Sequence, residues 1–186
     1  MPTTRATLRR YTIFPSDLGW FALAGHGAYV ERLSFGHSTA EAARRALADE
    51  LRGAKRDDIW FGELVERLQA YAGGTRDDFR DVLVAHDDQT RFQISVAEWC
   101  RRIPAGVTVT YGQLAAAAGR PAAARAVGNV MRTNRVPLIV PCHRVVAGTG
   151  KLHAYSAADG IATKRRLLEM ELQAWITDAV RQVVEV

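Results

Sequence analysis

Cysteine is nearly missing from this chain, with two among 186 residues, at positions 100 and 142. So few, in unlike contexts, exclude a disulfide framework. They fit a reduced, cytoplasmic protein that keeps at least one thiol for chemistry. No cysteine precedes position 100, and the five histidines are scattered. A zinc-type cluster is therefore not available, and no metal is expected. Long hydrophobic runs are also lacking. Nothing approaches the roughly 18 apolar residues of a membrane span, and the opening residues from Met1 to Arg10 contain no apolar run of a secretion signal. No membrane role is expected. Repeats and low-complexity segments are absent. Acidic residues are outnumbered, 20 against 25 Lys and Arg, and the net charge of +5 leans towards a polyanionic partner. What is present is ordinary for a globular chain, with 48% hydrophobic and 24% charged residues, enough for one domain or two small ones with a real core.

The most informative stretch is Val140-Pro141-Cys142-His143-Arg144-Val145. Proline fixes its own φ near about −65° and biases the residue before it towards an extended conformation. Cys142 is thus expected at a strand end or sharp turn after the apolar run Leu138-Ile139-Val140. A thiol with a free pKa of about 8.5 is mostly protonated at neutral pH and needs an activator. His143 could take the proton directly or through a water, and Arg144 would add positive charge that favours thiolate. The hexapeptide alone leaves a buried structural cysteine equally open, because free cysteine is among the most buried residue types.

Residues 8–34 read as a β meander, with β-prone runs at Tyr11–Phe14, Trp20–Leu23 and Ala28–Leu33 separated by turn residues. Ser38-Thr39-Ala40-Glu41 has the capping-box pattern and opens a helix to about Leu51. A second helix fits Asp58 to Ala72, ending at Gly73-Gly74, and Asp78 to Ala85 alternates as another strand. Nothing in residues 1–88 carries nameable chemistry. Asp87 to Arg91 is a polar joint. Beyond it Phe92, Val96, Trp99, Cys100 and Ile103 form one apolar helix face ended by Pro104, which assigns Cys100 to packing. Gly106 to Tyr111 is a short strand or extended turn, and Gly112 to Ala118 a small helix. A further helix runs from Pro121 to about Thr133, completing a helix–turn–helix unit. Arg125, Asn129 and Arg132 share a face with Ala122 and Gly128, while Ala123, Ala126, Val127 and Val130 turn to the core. Two arginines with little side-chain bulk suit close approach to a phosphate chain, and a solvated helix face remains the alternative. Val145 to Leu152 reads as a tight hairpin and His153 to Gly160 as a loop. From Ile161 a long helix follows, with Leu167, Leu168, Leu172, Trp175 and Ile176 near one side and Lys164 to Arg166 exposed.

Thr110-Tyr111-Gly112-Gln113-Leu114-Ala115, Ala124-Arg125-Ala126-Val127-Gly128, Asn134, Pro141 to Val145, Tyr155-Ser156, Lys164, Leu167-Leu168 and Glu171 occur in an order and spacing that closely resemble the O6-alkylguanine-DNA alkyltransferases. The match spans residues 92–171. The resemblance implies an α+β fold: an N-terminal ribonuclease-H-like β-sheet subdomain (1–88), then a mostly helical, winged-helix-like domain with a helix-turn-helix (89–172), and a helical tail (173–186). It implies a monomer that binds duplex DNA containing O6-alkylguanine through the minor groove, with small residues Ala122, Ala126 and Gly128 permitting contact. The target base, and by extension O4-alkylthymine, would be flipped out of the stack. Arg125 would fill the vacated space, with Asn129 and Arg132 on the same face, and Tyr111 would sit at the base and its 3′ phosphate. Cys142 would then take the alkyl group irreversibly, once per molecule and without a cofactor. His143 would act through a water as its base, and Glu171 would orient that histidine. Tyr111 and the Ser156 region would stabilise the departing purine. Asn134 would brace the turn before the active-site strand. Pro137, Val145 and Tyr155 would help to shape the pocket.

Two departures from the family pattern stand out. The segment His153 to Gly160 keeps only Gly160 of the usual glycines and holds about two extra residues before Lys164, beside the expected alkyl pocket. Arg135 follows Asn134 where proline is common. Zinc, held by some relatives, lacks its N-terminal cysteines here. Two other readings compete. An alkyltransferase-like sensor would flip damaged bases with little transfer, but such proteins lack the cysteine. An unrelated Cys/His hydrolase would leave the arginine-bearing helix unexplained.

Overall fold

The computed structural model describes residues 8–150, 152, 155, 157 and 160–184, with side chains to residue 179. The meander is present as β1 (Arg9–Phe14), β2 (Trp20–His26) and β3 (Tyr29–His37), paired antiparallel in sequence order. Two short strands extend it in parallel, β4 (Lys55–Arg56) on β1 and β5 (Leu83–Val84) on β3, giving the order β4-β1-β2-β3-β5. Only Leu83 and Val84 of the expected 78–85 strand pair with the sheet, because Phe79 adopts a positive φ of 49° and breaks the extension. β4 carries no alternating pattern and was not expected.

Alternation along the strands puts a different set of side chains on each face. Ile13, Ala22 and Ala24 meet Ala43 and Leu47 on one side. Phe14, Phe21 and Leu23 turn to the other side, towards Leu64, Leu68 and Tyr71. The first face is covered by helix α1 (Ala40–Ala46), the second by α2 (Gly62–Ala72). Both helices begin later than their sequence signals suggest. The cap of α1 is Thr39, whose hydroxyl accepts from the Ala42 amide, and regular helix stops at Ala46. At α2, Phe61 takes a left-handed φ of 59°, and the preceding Ile59 is 90% exposed rather than part of an apolar stripe.

The second half opens with α3 (Arg91–Arg101), whose capping box joins Thr90 and Gln93. Cys100 is fully buried on its core face, in its expected packing role. β6 (Val109–Thr110) leads into α4 (Tyr111–Ala117), again with a capping box, Thr110 and Gln113. α5 (Ala124–Arg132) completes the helix pair. It starts at Ala124, not Pro121, because Pro121 and Ala122 form a turn. Ala126 is exposed, and the inward side is held by Val127 and Met131.

The stretch before Cys142 is a tight turn, not a strand: Leu138 has a positive φ of 73°, and Pro137 bridges to Val140. Cys142 opens a single 3₁₀ turn (Cys142–Arg144) that runs into β7 (Val145–Val146). β7 pairs in parallel with β6 instead of folding back as a hairpin. The last helix, α6 (Ile161–Val184), includes the tail. Leu167 is its buried anchor, whereas Leu172, Trp175 and Ile176 are exposed. Lys164, expected on the surface, is 1% exposed because its ammonium reaches the Val145 carbonyl at 2.6 Å. One apolar cluster runs from the sheet through α2 and α3 to Cys142 and Leu167, so the two halves share a core. Among the described residues no helix is long and apolar enough to cross a membrane, and no cluster of side chains could hold a metal ion.

Candidate active site

Asn134 builds the turn that carries the thiol. Its Oδ1 accepts from the Val136 amide at 3.1 Å, and its Nδ2 donates to the Val140 carbonyl at 2.7 Å. The same Nδ2 lies 3.1 Å from the Cys142 sulfur. The side chain thus closes the left-handed bend at Leu138 and donates to the thiol. Burial pushes the Cys142 thiol above its ordinary pKa, and the Asn134 amide, the Lys164 cation and the Tyr155 hydroxyl offset this only in part. Tyr155 Oη is not aligned for a hydrogen bond with any described residue, so its influence on the sulfur is one of proximity. A thiol kept protonated in this way needs a base.

His143 is fully buried and bonds through Nε2 to Glu171 Oε1 at 2.9 Å. With the carboxylate accepting there, the Nε2–H tautomer follows, and Nδ1 is left as the acceptor nitrogen. Nδ1 has no protein partner among the described residues. Burial lowers the His143 pKa despite the opposing pull of Glu171, which keeps the ring neutral and able to accept a proton. Burial alone would raise the Glu171 carboxyl, but its hydrogen-bond donors outweigh that and hold it well below the usual carboxylate range. The donors are His143 and Arg144, of which Arg144 carries the permanent charge. Its Nε lies 3.0 Å from Oε2, its Nη2 lies 2.7 Å from Oε1, and its Nη1 donates to the Ile103 carbonyl at 2.6 Å. Arg144 therefore serves Glu171, and the cation that acts on the thiol is Lys164.

Two more donors complete the shell of Glu171. The Gly106 amide reaches Oε2 at 3.2 Å, and the Tyr71 hydroxyl reaches Oε1 at 2.6 Å. Gly106 has a φ of +78°, and an added Cβ would lie 3.4 Å from that of Trp175, so glycine suits both the bend and the packing there. Tyr71 comes from α2, in the half of the chain that shows no chemistry in its sequence. No local pattern marks it, since it reads as one more apolar position on an amphipathic helix.

Cys142 lies in the wall of a cavity of about 600 Å³ together with Tyr111, Arg125, Gly128, Arg132, Tyr155 and Lys164. That is ample for a small organic ligand or an extruded base. Arg125, Asn129 and Arg132 are exposed on α5 as a stripe, and Ala122 and Ala126 are exposed beside them. The space over Gly128 is open, since an added Cβ would meet nothing within 4 Å. Asn129 faces solvent outside the cavity. Pro137 and Val145 are buried in the supporting structure and do not line it, and Ser156 lies outside the described residues. A smaller cavity of about 260 Å³ is lined by Asn134 and Val140 but not by Cys142.

Known proteins resemble this chain in sequence and fold. Residues 91–173 match the family model described as 6-O-methylguanine DNA methyltransferase, DNA binding domain. A Mycobacterium tuberculosis methylated-DNA–protein-cysteine methyltransferase is 38% identical over 161 residues, covering 87% of this chain and 91% of its own. One from Methanosarcina mazei is 41% identical over 167 residues, covering 87% and 96%. Among solved structures, Mycobacterium tuberculosis O6-methylguanine methyltransferase superposes with a TM-score of 0.72 at 35% identity, over 90% of this chain and 94% of that one. Mycobacterium tuberculosis OGT in complex with DNA also gives 0.72, at 34% identity, over 89% and 94%.

Proposed function

The chain belongs to the methylated-DNA–protein-cysteine methyltransferases, DNA-binding enzymes of alkyl-damage repair, and from that premise we propose that Cys142 takes the alkyl group of O6-alkylguanine onto its own sulfur, once and irreversibly. The observation that carries this reading is the set Cys142–His143–Glu171 beside an open cavity, with the acceptor nitrogen of a neutral imidazole left free by the hydrogen bond at 2.9 Å on its other side. His143 Nδ1 receives the thiol proton through a water. The thiolate attacks the alkyl carbon, the carbon–O6 bond breaks, and its electron pair leaves with guanine. Tyr111 at the cavity wall supplies a hydrogen bond to the departing purine, and the Ser156 region contributes in the same sense. Lys164, buried 19 residues beyond the Val145 carbonyl it holds, adds positive charge where the thiolate forms. The product is a thioether, which water does not cleave, so no step returns the free thiol and no cofactor is required.

Delivery of the base rests on α5. A stacked guanine cannot reach the thiol of Cys142, a residue only 3% exposed, so the nucleotide must turn out of the duplex. Arg125 at the cavity mouth enters the stack in its place. Ala122, Ala126 and Gly128 let the helix lie close in the minor groove, while Asn129 and Arg132 meet the backbone. In this reading the protein acts as a cytoplasmic monomer, residues 89–172 hold the DNA and the acceptor thiol, and O4-alkylthymine is a further substrate. A sensor that flips without transferring is disfavoured by Cys142 itself. The test uses duplex DNA with one O6-methylguanine and peptide mapping of the protein. Cys142→Ser should bind but stay unmodified, and Cys100→Ser should be methylated at Cys142. Methyl found on Cys100 would refute the assignment.

A further inference from the structure

We propose that Tyr71, supplied by the N-terminal half of the chain, is a positioning residue for alkyl transfer, and that its hydroxyl tunes His143 as the base by occupying one oxygen of Glu171. The inference rests on the roles of Cys142 and His143 given above. Glu171 Oε1 is shared by donors on three residues: Tyr71 Oη at 2.6 Å, Arg144 Nη2 at 2.7 Å and Nε at 3.2 Å, and His143 Nε2 at 2.9 Å. Tyr71 and the imidazole thus draw on the same oxygen. A neutral hydroxyl donating at short range removes charge density from that oxygen, which makes the carboxylate a weaker partner for an imidazolium. His143 then stays neutral to lower pH and remains available to accept the thiol proton.

Tyr71 is suited to this task because it does not itself titrate in the working range. Burial, followed by the Glu171 charge, pushes its hydroxyl well above the ordinary phenol value. The ring is fixed by an edge contact with Phe79 at 5.5 Å and by burial among the sheet-facing residues of α2. The titratable and charged groups around the His143–Glu171 pair come from every neighbouring element. Cys142 and Arg144 lie on the same turn, Lys164 is on α6, Tyr155 precedes α6, Cys100 is on α3, and Tyr71 is on α2. Of these, Tyr71 alone is delivered by the sheet half, so docking of that half onto the thiol-bearing half completes the catalytic hydrogen-bond set. This assigns residues 1–88 a part in the chemistry as well as in the fold.

The test is the pH dependence of single-turnover transfer from the free base O6-benzylguanine to the full chain, which needs no DNA and no base flipping. Tyr71→Phe keeps the ring packing and removes only the donor. Its acid limb should move up by about half a pH unit or more, a roughly threefold or larger loss on the acid side, with the alkaline plateau within about twofold of the parent. Site-specific 3-fluorotyrosine at position 71, a stronger donor in nearly the same space, should move the limb the opposite way. In a Glu171→Gln background, Tyr71→Phe should leave the profile unmoved. A Tyr71→Phe profile that superimposes on the parent, or a loss of equal size at every pH, would overturn the proposal and leave Tyr71 a packing residue. Failure of the parent protein itself to alkylate Cys142 would overturn the proposed reaction and this inference with it, before any variant is compared.

Discussion

Arg144→Met probes the buried charge at the centre of the molecule. Arg144 and Glu171 are 1% and 2% exposed, and the pair is held by three guanidinium–carboxylate contacts between 2.7 and 3.2 Å. Methionine fills much of the volume but leaves Glu171 buried with only His143, Tyr71 and the Gly106 amide. Removing one partner of such a pair costs about 3–5 kcal/mol. For a chain of 186 residues this corresponds to a fall in Tm of roughly 6–20 °C. The pH dependence gives a sharper signature. In the parent, the Glu171 pKa is lowered on folding, so its contribution is complete above the unfolded value of about 4.3 and is lost as pH falls through the lower folded value. Without Arg144 the carboxylate turns to His143 and raises the imidazole pKa in the folded state. That contribution is present below about 6.5 and is lost as pH rises through the raised value. The deficit of the variant should therefore be largest near pH 8 and narrow by about 1 kcal/mol or more at pH 5.5, since one pKa unit is worth about 1.4 kcal/mol. Urea denaturation at the two pH values, with Glu171→Gln and the double variant completing the cycle, measures it. The double variant should recover part of the sum of the single losses. A deficit below about 1 kcal/mol, or one that does not change with pH, would refute the account of this pair.

Further predictions concern DNA and the thiol. Arg125→Ala should slow transfer from an O6-methylguanine duplex far more than transfer from free O6-benzylguanine, because only the duplex needs extrusion; equal losses would place Arg125 in the fold or the chemistry. Arg132→Ala should reduce the slope of log affinity against log salt by about one, read from binding titrations at several salt concentrations. Asn134→Asp keeps the acceptor for the Val136 amide but removes the donor 3.1 Å from the sulfur, so the thiol should be pushed further up and neutral-pH transfer should fall by about tenfold or more. Stopped-time alkylation across pH measures that fall, and a rate unchanged at pH 7 would show that the donor is idle. Replacing Ala157 to Gly160 by two glycines should alter the ratio of benzyl to methyl transfer with DNA affinity unchanged. A constant ratio would make that loop a spectator.

Much of the site was legible in the sequence because its parts are local. Proline before Cys142, histidine after it, Asn134 at the end of a helix and Arg125 on a polar stripe are short-range signals, and the structure brings Cys142 and Arg125 to one cavity with Asn134 bonded to the sulfur. Cys100 was assigned to the core by helical spacing alone. The shell around Glu171 was not legible, because its members meet across the chain. Tyr71 and Glu171 are 100 residues apart, and no periodicity links them. Arg144 and Lys164 carry charges that pattern reading sends to the surface or to the thiol. Long-range acceptors, Glu171 and the Val145 carbonyl, draw them inward instead. The left-handed bend at Leu138 was equally hidden, since a buried leucine with positive φ is tolerated only where Asn134 and the packing around it over-determine the turn. At α5, the proline that suits a first helical turn sits in a separate turn three residues earlier, so the helix begins later than the proline suggests.

The central claim is that each molecule accepts one alkyl group on Cys142 and then stops. Intact-protein mass spectrometry after incubation with a large excess of O6-methylguanine duplex, followed by peptide mapping, tests it most directly. A single added methyl per chain is expected, on the Cys142 peptide, with repaired guanine equal in amount to the protein. Repaired guanine in excess of protein, or repair with no mass gained at Cys142, would contradict it.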